Sequence, residues 1–112
     1  MDKGINIAIN QYLSLIRKNH KGIEKAILFG SYAKNNERQD SDIDIALIFD
    51  KLNDDDKFDL QVQLMLLASQ VDTRIEPHPI SKKDFNSNNP FVIEIKRTGV
   101  EIIYKTTKPN TW

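Results

Sequence analysis

The chain has 112 residues, of which 39% are apolar and 29% are charged, a balance typical of one small globular domain. Its 16 Lys and Arg residues equal its 16 Asp and Glu residues in number, so it lacks the overall positive charge that favours stable nucleic-acid binding. It has no cysteine, which excludes disulfides and thiolate metal sites, and no apolar run long enough to cross a membrane. We therefore expect a cytoplasmic protein that binds neither membranes nor long nucleic acids.

The first half of the chain predicts one helix, two strands and a short helical segment between the strands. Apolar residues at helical spacing predict an amphipathic helix over residues 3–18. The apolar run Ile23–Phe29, stopped by Gly30, predicts a buried strand, and a short helix is expected over residues 31–35. Alternation of apolar and polar residues predicts a second strand over residues 42–49.

The second half predicts a long helix, a strand, a further helix and a last strand. Acids at the start and apolar residues throughout predict a helix ending near Ser69, whose apolar face should pack against a sheet, with Met65 in the core. A strand is expected over residues 71–78, where Pro77 and Pro79 would mark an edge or an end. A helix should run from Pro90 to residue 97, followed by a strand over residues 100–104.

These elements predict an α/β protein of the α+β type, with a small mixed sheet of about four strands flanked by helices. We expect one domain over residues 1–105 and a loose tail over residues 106–112. An apolar docking contact to a partner could come from Tyr104 and Trp112 near that tail, or from the first helix.

The most informative stretch joins a Gly-Ser turn to two aspartates. Gly30 allows a close approach of the backbone to a ligand, and Ser31 offers a hydroxyl beside free amide donors. Asp42 and Asp44 point to one face of their strand, where two carboxylates repel each other unless a hard divalent cation lies between them. If turn and acids share one site, the first two strands must run antiparallel.

This stretch resembles the signature of the DNA polymerase β-like nucleotidyltransferase superfamily, which is Gly-Ser, ten residues and then Asp-x-Asp. It is most similar to the minimal nucleotidyltransferases of the HEPN-associated antitoxin type. The resemblance implies the nucleotidyltransferase fold and transfer of AMP, or another NMP, from ATP or another NTP to a hydroxyl. It implies two Mg²⁺ ions bridged by Asp42 and Asp44.

The resemblance also implies further site residues. Family members hold a third carboxylate on a neighbouring strand, and here Asp72 and Glu76 are both candidates; Glu76 is preferred because the middle of that strand should lie nearer the two aspartates. The residues expected to contact the nucleotide are Gly30, Ser31, Lys34, Ser41 and Arg74. Arg74 could contact a phosphate or form an ion pair with Glu76, the ion pair being the simpler expectation, and His78 is expected only as a strand-end residue.

The resemblance leaves two functions in competition. The first is an active adenylyltransferase whose acceptor is a hydroxyl, most simply a tyrosine, of a HEPN toxin partner. The second is a nucleotide-binding antitoxin subunit that neutralises its partner by complex formation with little catalysis. A chain of this size leaves no segment for an acceptor pocket of its own, so the acceptor is expected on another protein or on another copy of this chain.

Overall fold

The computed structural model describes residues 3–34 and 41–102 and gives four helices and four strands there. In chain order they are α1 (Lys3–Asn19), β1 (Ile23–Phe29), β2 (Ile43–Phe49), α2 (Asp54–Ser69), β3 (Ile75–Ser81), α3 (Lys82–Phe85), α4 (Pro90–Thr98) and β4 (Val100–Glu101). The tail predicted over residues 106–112 lies outside the described residues, as do Tyr104 and Trp112. Among the helices of the described ranges, none is both long and apolar enough to span a bilayer.

The strands form one mixed sheet in the order β3-β2-β1-β4. β1 pairs antiparallel with β2 and with β4, whereas β2 and β3 run parallel. This confirms the predicted four-stranded mixed sheet and the antiparallel pairing of the first two strands. The strand order also explains Pro77 and Pro79. β3 is an edge strand, where a residue without a backbone N–H does not cost the sheet a hydrogen bond.

Helices cover both faces of the sheet. The face against α1 and α2 holds the larger core, to which β2 contributes Ile43, Ile45 and Leu47. The opposite face packs Ala46 and Ile48 against α4. Because Asp42 and Asp44 have the same parity as Ala46, alternation along β2 directs them to the α4 side.

The third strand begins later than predicted. The N–H groups of Val71 and Asp72 both donate to the carbonyl of Ala68, so this part of the predicted strand instead continues the last turn of α2. Strand pairing starts at Ile75, which lies opposite Ile43, and continues to Ser81. The predicted range 71–78 was therefore wrong at both ends, and Glu76 and His78 lie inside the strand.

The core face of α2 was also predicted wrongly. Leu64 and Ala68 are the buried residues of this helix, and Tyr12 of α1 donates a buried hydrogen bond of 2.9 Å to the Leu64 carbonyl. Met65, expected in the core, is 51% exposed, and Phe58 is 76% exposed. Apolar residues occupy every side of α2, so spacing alone could not choose the side that packs.

Two short segments follow the strands β1 and β3. Residues 31–34 form a turn in which the Lys34 N–H donates to the Gly30 carbonyl at 3.2 Å, and the end of the short helix expected over residues 31–35 lies outside the described residues. The helix α3 was not predicted. It begins at a cap in which the Ser81 hydroxyl accepts a hydrogen bond from the Asp84 N–H.

Candidate active site

The sheet brings the Gly-Ser turn and the two aspartates to one end of the molecule. In the antiparallel pair of β1 and β2, Phe29 at the end of β1 lies opposite Asp44 near the start of β2. Gly30 and Ser31 follow Phe29 directly. The shared site that the motif predicts is therefore geometrically possible, since a turn and two acids far apart in sequence become neighbours.

Gly30 is shaped to accept the Asp44 carboxylate. Its φ of +76° lies in the left-handed region, which side chains other than hydrogen disfavour. A Cβ added at this position would lie 2.5 Å from Asp44 Oδ2, closer than van der Waals contact permits. Glycine is therefore favoured at this position for two reasons: it permits the turn, and it leaves the space that the carboxylate occupies.

A third carboxylate joins the pair from the neighbouring strand. Asp44 of β2 lies opposite Glu76 of β3 in the parallel register. Partial burial raises the pKa of Glu76, and the charges of Asp44 and Asp42 raise it further, while His78 acts in the opposite direction. Asp42 also shares a hydrogen bond with Glu76. Asp42, Asp44 and Glu76 thus form one cluster of mutually repelling acids.

His78 is the site residue that sequence reasoning missed. Its Nε2 lies 3.1 Å from Asp44 Oδ1, with both side chains partly exposed. One donor atom each from Asp44, Glu76 and His78 lie within 4.8 Å of one another, close enough to hold one cation. The sequence does place Glu76 and His78 on the same face of their strand. It does not indicate a metal ligand, because His78 has no partner at metal-ligand spacing along the chain.

Asp72 and Arg74 pair with each other just before β3. Arg74 Nη2 lies 2.7 Å from Asp72 Oδ2, and Arg74 Nε and its backbone N–H donate to Asp72 Oδ1. The hydrogen bond from Arg74 is the main reason why the pKa of Asp72 is lowered. The ion pair that the structure shows for Arg74 is with Asp72, whereas Glu76 was the expected partner. Asp72 is engaged as that partner, which favours Glu76 as the third carboxylate.

The other expected nucleotide contacts lie in the turn after β1 and just before β2. Ser31 is half-buried in the turn and Ser41 is half-buried just before Asp42, while Lys34 is exposed. Arg74 Nη1 lies 3.4 Å from the hydroxyl of Tyr32, a buried residue of the same turn. This contact links the segment before β3 to the Gly-Ser turn.

The donor set fits a divalent cation. It is built mainly from carboxylate oxygens, which hard cations prefer, and a bound cation would relieve the repulsion that raises the pKa of Glu76. Fold and site agree with the nucleotidyltransferase that the sequence motif resembles.

Comparison with known proteins identifies the family. Residues 11–108 match the model of the family described as "Polymerase beta, Nucleotidyltransferase", and the chain belongs to this family. It is 38% identical over 81 residues to "Putative protein adenylyltransferase MJ0604" of Methanocaldococcus jannaschii, an alignment that covers 70% of this chain and 80% of that protein.

Solved structures of low sequence identity share the fold. A chain of a toxin-antitoxin complex with AMP-PNP superposes with a TM-score of 0.58 at 23% identity, covering 86% of this chain and 73% of that one. A chain from the complex of a tri-AMPylated HEPN toxin of Shewanella oneidensis with its MNT antitoxin gives a TM-score of 0.57 at 21% identity, covering 89% and 72%. The expected fold and family are thereby confirmed.

Proposed function

We propose that this chain transfers AMP from ATP, in the presence of Mg²⁺, to a hydroxyl of a HEPN-domain partner, with a tyrosine as the acceptor residue. The observation that carries the proposal is the convergence of Asp42, Asp44 and Glu76 beside the turn at Gly30. The relative named as an adenylyltransferase and the fold shared with a chain of the HEPN–MNT complex support it. We place the reaction in the cytoplasm, where ATP is available.

In the proposed reaction the acids of the cluster and the turn at Gly30 have separate tasks. Asp42 and Asp44 hold the cations, and Gly30 and Ser31 bind the terminal phosphates through their backbone amides. When bound, two Mg²⁺ ions supply charge neutralisation at the α-phosphate and the leaving group. The acceptor oxygen forms a bond to the α-phosphorus as the bond to the β-phosphate oxygen breaks and pyrophosphate leaves. Glu76, which also lies among the possible ligands of the cation, takes the hydroxyl proton.

A groove beside His78 offers the acceptor a path to this cluster. It has a volume of about 160 Å³ and follows the open edge of β3 between α2 and α4. Lys57 and Gln61 of α2 line one side, and Phe91 of α4 lines the other. Gln61 Nε2 donates to the Pro77 carbonyl at 2.8 Å, which holds α2 at this edge. An acceptor side chain from a bound partner would enter along this groove.

The exposed apolar residues of α2 give the partner a surface on the same helix. We call Phe58, Val62, Met65 and Leu66 the α2 apolar face. They are 40% to 76% exposed, and exposed apolar clusters of this kind are typical of protein interfaces. Because α2 also lines the groove, a partner docked on this face would bring its hydroxyl towards Glu76.

The transfer is tested by co-expression with the candidate HEPN partner, followed by intact-mass measurement of that partner. We expect additions of about 329 Da per AMP group, and none with Asp44→Asn. A stable complex whose partner is never modified would favour neutralisation by binding alone. Transfer to RNA or to a small alcohol, without a protein partner, would overturn the proposal.

The docking surface is tested with two substitutions of equal starting exposure. Met65 of the α2 apolar face is 51% exposed and Ile7 of α1 is 52% exposed. Met65→Glu should weaken the complex by at least tenfold, since a charge would be buried at the interface, whereas Ile7→Glu should leave it unchanged. If Ile7→Glu weakens the complex and Met65→Glu does not, the interface lies on α1. If Met65→Glu instead abolishes self-association of the chain, the α2 apolar face binds a second copy of the chain.

A further inference from the structure

The cation site contains one nitrogen among its oxygens. His78 Nε2 lies 3.1 Å from Asp44 Oδ1, and the donor atoms of Asp44, Glu76 and His78 lie within 4.8 Å of one another. Two ligands about 2.1 Å from one cation are about 3.0 Å apart when adjacent in an octahedron and about 4.2 Å apart when opposite. The Asp44–His78 distance is that of a hydrogen bond in the metal-free protein and also equals the separation of an adjacent pair, so both groups could bind one ion without a change in their spacing.

The His78 ring is held in this orientation by aromatic neighbours. Its centroid lies 5.0 Å from that of Phe29 and 6.0 Å from that of Phe91. Phe29 and Phe91 also contact each other edge to face, with centroids 5.6 Å apart. Because two aromatic rings already pack against the imidazole, less rotational freedom is lost when Nε2 binds an ion, which is the usual advantage of a preorganised ligand.

We propose that His78 Nε2 is a direct ligand of the cation held by Asp44 and Glu76, and that this nitrogen makes the site prefer divalent transition metals to Mg²⁺. The inference rests on the proposed function, since it concerns the same cation site. Mg²⁺ binds oxygen ligands and keeps several waters, whereas imidazole nitrogen favours first-row transition metals. Mn²⁺ is the suitable probe because it accepts carboxylate ligands and gives an electron paramagnetic resonance spectrum.

The chain offers a matched pair of variants, because His20 and His78 are its two histidines. His20 lies against Phe49 at the far end of β2 from Asp44. We would measure Kd for Mn²⁺ and for Mg²⁺ by calorimetry on the wild type, His78→Gln and His20→Gln. His78→Gln retains an oxygen donor, so it should weaken Mn²⁺ binding by about tenfold or more while changing Mg²⁺ binding by less than about threefold. His20→Gln should change neither.

Pulsed electron paramagnetic resonance separates direct ligation from a structural role. The wild type and His20→Gln, each loaded with Mn²⁺, should show a ¹⁴N coupling from a bound imidazole, and His78→Gln should lack it. The wild-type spectrum decides the question even where His78→Gln fails to fold.

The outcomes distinguish this inference from the proposed function. If the wild type binds Mn²⁺ without a ¹⁴N coupling, or if His78→Gln keeps the wild-type ratio of Mn²⁺ to Mg²⁺ affinity, the ligand role of His78 is refuted while the transferase proposal stands. If the wild type binds neither cation, both proposals fail.

Discussion

Replacing Gly30 by alanine tests the geometry of the site most directly. A side chain at φ +76° costs about 1–2 kcal/mol of folding free energy. In a domain of this size that corresponds to a fall in Tm of about 4–8 °C. This part of the effect depends on the turn alone.

The second part of the effect falls on Asp44. The new Cβ would lie 2.5 Å from Asp44 Oδ2, and the carboxylate must move by about 0.9 Å to reach the ordinary contact distance of 3.4 Å. A displacement of about 1 Å at a reacting centre can cost about a hundredfold in rate. We therefore expect Gly30→Ala to lose about a hundredfold in AMP transfer and to bind divalent cations more weakly.

Gly22→Ala is the matched control. Its Cβ would approach only Phe49 Cδ1, at 4.0 Å, and its φ is not in the left-handed range. Thermal melting, cation calorimetry and AMP transfer would be measured on both variants, with Gly22→Ala close to wild type in all three. A Gly30→Ala variant with wild-type cation affinity and transfer would refute the close packing of Asp44 against the turn.

Three further predictions concern the acids. Asp44→Asn should abolish AMP transfer. The Tm of the metal-free protein at pH 8 should stay the same or rise slightly, because one of several repelling charges is removed. A collapse in Tm would show that Asp44 is a structural residue. Glu76→Gln should lower the rate of AMP transfer by at least about a hundredfold. Asp72→Asn should leave the transfer rate nearly intact, but it should cost about 1 kcal/mol of stability because the bonds to Arg74 are weakened. Equal losses of activity in the two variants would show that Asp72 also serves the site. Because the pKa of Asp72 is lowered in the folded state, its stabilising effect is present above the unfolded pKa and is lost as pH falls through the folded value. The difference in urea unfolding free energy between wild type and Asp72→Asn should thus be constant from pH 7 to 5 and shrink below about pH 4.

Local signals in the sequence determined most of the element positions and half of the site. The run Ile23–Phe29 before Gly30 and the helix opening at Pro90 were predicted where the structure has them, because breakers and caps act on adjacent residues. The motif from Gly30 to Asp44 likewise needed no tertiary information, since residue types at fixed spacing carry it.

Only the tertiary structure decided which residues meet across strands and which side of a helix is buried. Asp72 and Glu76 are both candidates from the sequence, and the parallel register, which places Glu76 opposite Asp44, favours Glu76. His78 reaches Asp44 through the same register, and a contact between residues 34 positions apart leaves no local pattern in the sequence. Met65 was assigned to the core because α2 is apolar on all sides, and its exposure follows from the packing of Leu64 and Ala68 against the sheet and α1. Periodicity describes one element at a time, whereas register and packing depend on two.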